Sequence, residues 1–142
     1  MWFPSVSAQV NLNDVDHRPY ARILFDYCAA QLDGYALYIH GRPPPNGVCF
    51  PQRNSTISYS HVHHMGFRFG CDTHFRGKSS RYGYVREGVD GRIPALVKMI
   101  YEVHLTTPDN NVEHKITCAI IQRFVPPENR PCFPWHHWYV IT

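Results

Sequence analysis

Apolar and polar positions along this chain follow two different periods. Between His17 and Leu32, the residues Tyr20, Ile23, Leu24, Tyr27 and Ala30/Gln31 recur at intervals of three and four, the spacing that gathers side chains on one face of an α-helix. Asp16 stands where an N-cap is needed and Pro19 falls near the first turn. Asp33-Gly34 supplies the stop, because glycine enters the left-handed conformation that ends helices. The spacing predicts a helix over about residues 18–32, and no other segment matches that period as well. The run from Arg42 to Gly47 holds three consecutive prolines, which lack backbone donors and fix an extended path, so it reads as a loop. A short strand over Val48, Cys49 and Phe50 fits beyond it.

After residue 55 the period becomes two. From Ile57 to Phe69 the odd positions carry Ile57, Tyr59, His61, His63, Met65, Phe67 and Phe69, while the even ones are mostly small or polar. This reads as one half-buried strand, bent at Gly66. A Gly-, Lys- and Ser-rich loop leads to a strand over 81–86 and a turn over 88–91. Residues 95–105 alternate again, with every odd position apolar and Lys98, Glu102 and His104 among the even ones. The turn formers of 106–111 then join them to a returning strand over 115–124. Pro126-Pro127 stops that strand, and 134–141 fits a last one. Together these predict a mainly β fold: a small antiparallel SH3-like barrel with one N-terminal helix, as a single domain over 1–142, with barrel strands spanning about 57–141. Closing the sheet would remove edges through which so β-rich a chain could aggregate.

Composition supports a folded domain. Hydrophobic residues make up 44% and aromatics 14%, too much apolar surface for a disordered segment. The net charge of +3 is modest, but it is localised. Residues 68–98 hold Arg68, Arg76, Lys78, Arg81, Arg86, Arg92 and Lys98 against Asp72, Glu87 and Asp90. A local basic bias fits an anionic partner, although it also fits a solvated face. The five cysteines are odd in number and contain no CxxC pair, so they read as reduced thiols, as in an intracellular protein. The N-terminus carries no basic leader, and no stretch reaches the roughly 18 apolar residues of a membrane span. The chain reads as part of a longer polypeptide, with no membrane partner.

Two constellations could carry chemistry. His61 and His63 fall on one face of the expected strand, and Cys71 and His74 follow; the four could complete a tetrahedral zinc site, either structural or in a metal-dependent enzyme. The alternative is a set of partly buried, hydrogen-bonded rings. A cupin-type facial triad is excluded, because Phe67 and Arg68 occupy the places a carboxylate would need. His104-Leu105-Thr106 has the H-x-T form of two-histidine phosphoesterases, but those need a second copy and none is present. Nucleophile-elbow and phosphate-loop motifs are absent too, and Cys28 and Cys118 read as small core residues. A noncatalytic chain is the better reading. The second constellation is aromatic and basic. Tyr82 and Tyr84 share a strand face between Arg81 and Arg86, with Lys98 nearby, and Trp135 and Trp138 lie near the end. Such rings bind methylated ammonium groups or stack on bases, when they are not simply core.

The segment from Arg92 to His104, with its Ile-Tyr-Glu run, and the segment from Lys115 to Pro126 together resemble a hairpin of bromo-adjacent homology (BAH) domains. The run from Cys118 to Phe124, followed by Phe133-Pro134-Trp135, is also similar to the C-terminal region of proteins derived from transposons of basidiomycete fungi. The resemblance covers about residues 57–135. It implies an SH3-related barrel that binds chromatin, nucleic acid or another protein, with a nuclear location, rather than a catalyst. The shortness of the chain and the histidine-rich strand at 61–64 depart from that pattern.

Overall fold

The computed structural model describes residues 7–52, 54–64, 67–71, 82–87, 91–109 and 111–124. Its elements run β1 (Ser7–Gln9), α1 (Arg18–Gln31), β2 (Ala36–Tyr38), β3 (Gly47–Cys49), β4 (Thr56–Tyr59), β5 (His61–His64), β6 (Phe67–Gly70), β7 (Tyr82–Glu87), β8 (Gly91–Thr106) and β9 (Glu113–Arg123). The fold is mainly β with one helix, as the periodicities predict. β8 is its spine. One edge of β8 pairs antiparallel with β9 from Ala95 to Thr106; the other takes β7 at residues 91–96 and β4 at residues 100–103, end to end, with β1 outside β4. The expected 95–105/115–124 hairpin is therefore present, lengthened toward its turn to Thr106 and Glu113. Among the described residues the sheet is open rather than closed into a barrel.

The main core forms where α1 covers one face of this sheet. Leu24 and Cys28 of the helix are buried with Leu12, Leu32, Phe50, Met99, Tyr101, Val103, Leu105, Ile116 and Ile120. Tyr20, Ala21 and Phe25 pack against this cluster, whereas Ile23 and Tyr27 are exposed. The buried stripe thus runs through 21, 24/25 and 28, turned slightly from the one the periodicity suggested. His17, not Asp16, occupies the N-cap and makes no side-chain cap bond; Gly34 takes the left-handed conformation (φ 82°) just past the end. Burial pushes the Cys28 thiol up to about 12, with Cys118 adding to the effect, and Cys118 up to about 11. Cys28 is a buried core residue, and Cys118 is half-buried against the same cluster.

One β-bulge divides β8. Val97 pairs with Ile121 and Met99 with Ile120, so Lys98 is the extra residue. Because side chains alternate across a strand, an extra residue exchanges the faces. Met99, Tyr101, Val103 and Leu105 point to the helix side, but Val97 points the other way, where it joins Ile100 and Cys71 in a second small core with Tyr59 and Ile121.

The segment 57–69 is not one bent strand. It breaks at Ser60: β4 joins the large sheet, and β5 and β6 form a separate antiparallel ribbon with His64 opposite Phe67. β2 and β3 pair in parallel around the proline loop. Gly47 is required there, since a Cβ would lie 2.8 Å from the Pro44 carbonyl oxygen. The terminal strand expected over 134–141 lies outside the described residues. Among those described, no helix is long and apolar enough to cross a membrane.

Candidate functional site

The helix-side face of the sheet continues past Met99, beyond the main core. There the register sets Tyr82 opposite Leu96 and Tyr84 opposite Pro94, while Phe124 N–H donates to the Pro94 carbonyl at 2.9 Å. Tyr84, Pro94 and Phe124 therefore form a row across three strands. The Tyr82 and Phe124 rings lie 6.3 Å apart at 31°, within the range of offset aromatic contact. Tyr82 is 50% and Tyr84 72% exposed, so Tyr84 in particular presents most of its ring to solvent rather than to the core. Between them is a shallow depression of about 180 Å³, lined by Tyr82, Gly83, Tyr84, Pro94, Ala95 and Phe124.

Two residues further along the same strands, Arg86 is the register partner of Arg92. The aromatic row thus runs toward a doubly arginine-bearing position of the hairpin. Lys98 is the bulge residue, four positions from Pro94, and is half-buried. Arg81, Trp135 and Trp138 lie outside the described residues.

Of the histidine–cysteine set, His61 and Cys71 are the two whose side chains the structure describes, and it does not bring them together. His61 is the register partner of Gly70 and His63 of Arg68, whereas Cys71 follows Gly70 and its N–H donates to the Ser60 carbonyl at 2.9 Å. Alternation puts Cys71 on the side of the ribbon opposite His61. Its thiol donates to the Tyr59 carbonyl at 2.9 Å, and burial pushes it up to about 11; zinc binds the thiolate. His61 Nδ1 lies 3.0 Å from the Ser60 hydroxyl. His74 lies outside the described residues. Among the described residues no group of three or more His, Cys, Asp or Glu side chains is placed to hold a metal ion.

A polar network that the sequence reading passed over occupies the opposite face of the sheet. His104 Nε2 lies 2.7 Å from a Glu102 oxygen and its Nδ1 2.6 Å from a Glu113 oxygen; Tyr59 O–H donates to the second Glu102 oxygen at 3.1 Å, and Lys115 Nζ lies 3.4 Å from it. Burial alone would raise the Glu102 carboxyl, but hydrogen bonds from His104 and Tyr59 and the Lys115 charge outweigh it and hold it below its ordinary value. Burial alone would lower the His104 imidazole, but its bonds to Glu102 and Glu113 prevail and raise it. With both ring nitrogens at hydrogen-bond distance from carboxylates, which favours its protonated form, His104 is engaged in this network rather than free to act as the general base of an H-x-T motif. The alternation of Glu102 and His104 along β8 was the available signal; their partners on β4 and β9 were not. No family model, curated protein or solved structure matches this chain.

Proposed function

We propose that this chain is a noncatalytic recognition module that contacts an anionic partner, foremost a single-stranded nucleic acid, through the Tyr82–Tyr84 face. One observation carries the reading: two tyrosines, at least half exposed, stand on β7 beside Pro94 and Phe124 instead of closing into the core. Exposed rings on strands are stacking platforms for bases. Arg86 and Arg92, next in the register, and Arg81 and Lys98 in the flanking sequence supply the phosphate contacts. Trp135 and Trp138 would extend the aromatic surface. Chromatin binding, a nuclear location and closure into an SH3-like or BAH-like barrel belong to the same proposal.

Fluorescence anisotropy with labelled single-stranded DNA and RNA at several salt concentrations tests it. Wild-type affinity should fall linearly on logarithmic axes as salt rises, because cations condensed on the phosphates are released. Arg86→Ala should flatten that slope by about 0.7 per lost phosphate contact. Tyr84→Ala should weaken binding by about 1–3 kcal/mol per stacked base and leave the slope unchanged. Arg22→Ala, on the exposed side of α1, is the control. Undetectable or salt-insensitive binding by the wild type would remove this face and leave a protein partner.

A further inference from the structure

One edge of β7 pairs with β8, and among the described residues no strand pairs with the other. The hydrogen-bond pattern fixes which residues face that open edge. Tyr84 is the register partner of Pro94, which has no N–H and whose carbonyl accepts from Phe124 N–H on the opposite side of β8. Bonded and non-bonded pairs alternate along an antiparallel ladder. Tyr84 and Pro94 are therefore a non-bonded pair, and the Tyr84 N–H and C=O point away from β8, out of the sheet. Among the described residues neither group has a partner, and the Tyr84 ring is 72% exposed.

The sheet's other outer strands are guarded. β1 spans three residues, and β9 carries exposed Glu113, Lys115 and Thr117; shortness and charged cover keep sheet edges from pairing. β7 has neither safeguard at Tyr84, where an aromatic ring stands beside open backbone groups.

We propose that β7 pairs with β7 of a second copy of this chain, antiparallel about Tyr84, so that two open sheets join into one. Tyr84 then faces the partner's Tyr84, and two residues with outward N–H and C=O groups exchange two N–H···O bonds. Arg86 falls opposite the partner's Tyr82, an arginine–aromatic pairing. Counted one position further, Glu87 meets position 81, an arginine, so symmetry sets opposite charges together at both ends of the ladder. Centring on Val85 would leave Glu87 opposite Gly83, and centring on Arg86 would set two arginines against each other. The pairing is made by the strand edge and stands independently of the nucleic-acid reading.

Sedimentation velocity and amide hydrogen exchange between about 10 μM and about 0.5 mM protein test this, a range suited to a short interface. The wild type should pass from one to two chain masses, and exchange of the Tyr84 amide should slow as concentration rises. Tyr84→Pro removes the outward N–H and no bond to β8, a position where an edge strand tolerates proline; it should keep its circular dichroism spectrum and remain monomeric. Glu87→Arg should weaken association about fivefold, because like charges then meet twice, and Arg81→Glu combined with Glu87→Arg should restore it. If Tyr84→Pro fails to fold, the charge exchange decides alone. A wild type that stays monomeric throughout overturns the proposal. So does a dimer that persists in folded Tyr84→Pro or is indifferent to Glu87→Arg.

Discussion

At the scale of single residues, His104 is fixed by what surrounds it. Ionised carboxylates only accept hydrogen bonds, so an imidazole with Glu102 at 2.7 Å and Glu113 at 2.6 Å satisfies both contacts in its protonated form, which they favour. The sign of its pH dependence follows. The raised imidazole contributes stability that is complete below its ordinary value of 6.5 and is lost as pH rises through the higher folded value. The lowered Glu102 carboxyl contributes stability that is complete above 4.5 and is lost as pH falls through the lower folded value. Both contributions are therefore full between pH 4.5 and 6.5. Thermal melts of wild type and His104→Gln across pH 4 to 9 should differ most inside that window, by about 1–2 kcal/mol, and converge toward alkaline pH. A difference that stays constant across the range would show that His104 is not charged in the fold.

At the scale of elements, the helix is stabilised by the stripe it buries rather than by its ends, since it has no side-chain cap and no acidic residue in its first turn. Leu24 is fully buried whereas Ile23 is 51% exposed. Urea denaturation should therefore show a loss of about 3 kcal/mol for Leu24→Ala, from the lost transfer energy and the cavity left behind, and less than about 1 kcal/mol for Ile23→Ala. Equal losses would restore the stripe through Ile23 that the sequence suggests. The hairpin shows the same sensitivity to orientation. A single bulge at Lys98 lets β8 serve two cores on opposite faces, and it is the reason that Val97 and Met99 belong to different ones.

At the scale of the whole molecule, the described residues form two apolar clusters and an open sheet, and the histidine ribbon pairs apart from that sheet. If the histidines of β5 are only structural, stripping metal with a chelator should leave the melting temperature unchanged, because a bound structural zinc would contribute directly to the folding free energy. A drop of many degrees would instead promote a zinc site and require the Cys71 thiol to leave the Tyr59 carbonyl.

The sequence by itself determined what neighbouring residues decide between them: the helix of 18–31, the β7–β8–β9 meander with turn formers at 106–111, the proline loop, and the shared face of Tyr82 and Tyr84. Each follows from a local period or from backbone restrictions of Gly and Pro, and these act within a few residues. Only the tertiary structure decided which strands meet and in what register. The break at Ser60, the exchange of faces at Lys98, the carboxylates around His104 and the alignment of Tyr84 with Pro94 and Phe124 all depend on it. Alternation along 57–69 or 95–105 reads the same whether a strand continues, bulges or turns back. A one-residue shift in pairing reverses every side chain, and the choice is made by burial summed over distant segments, which no local window contains.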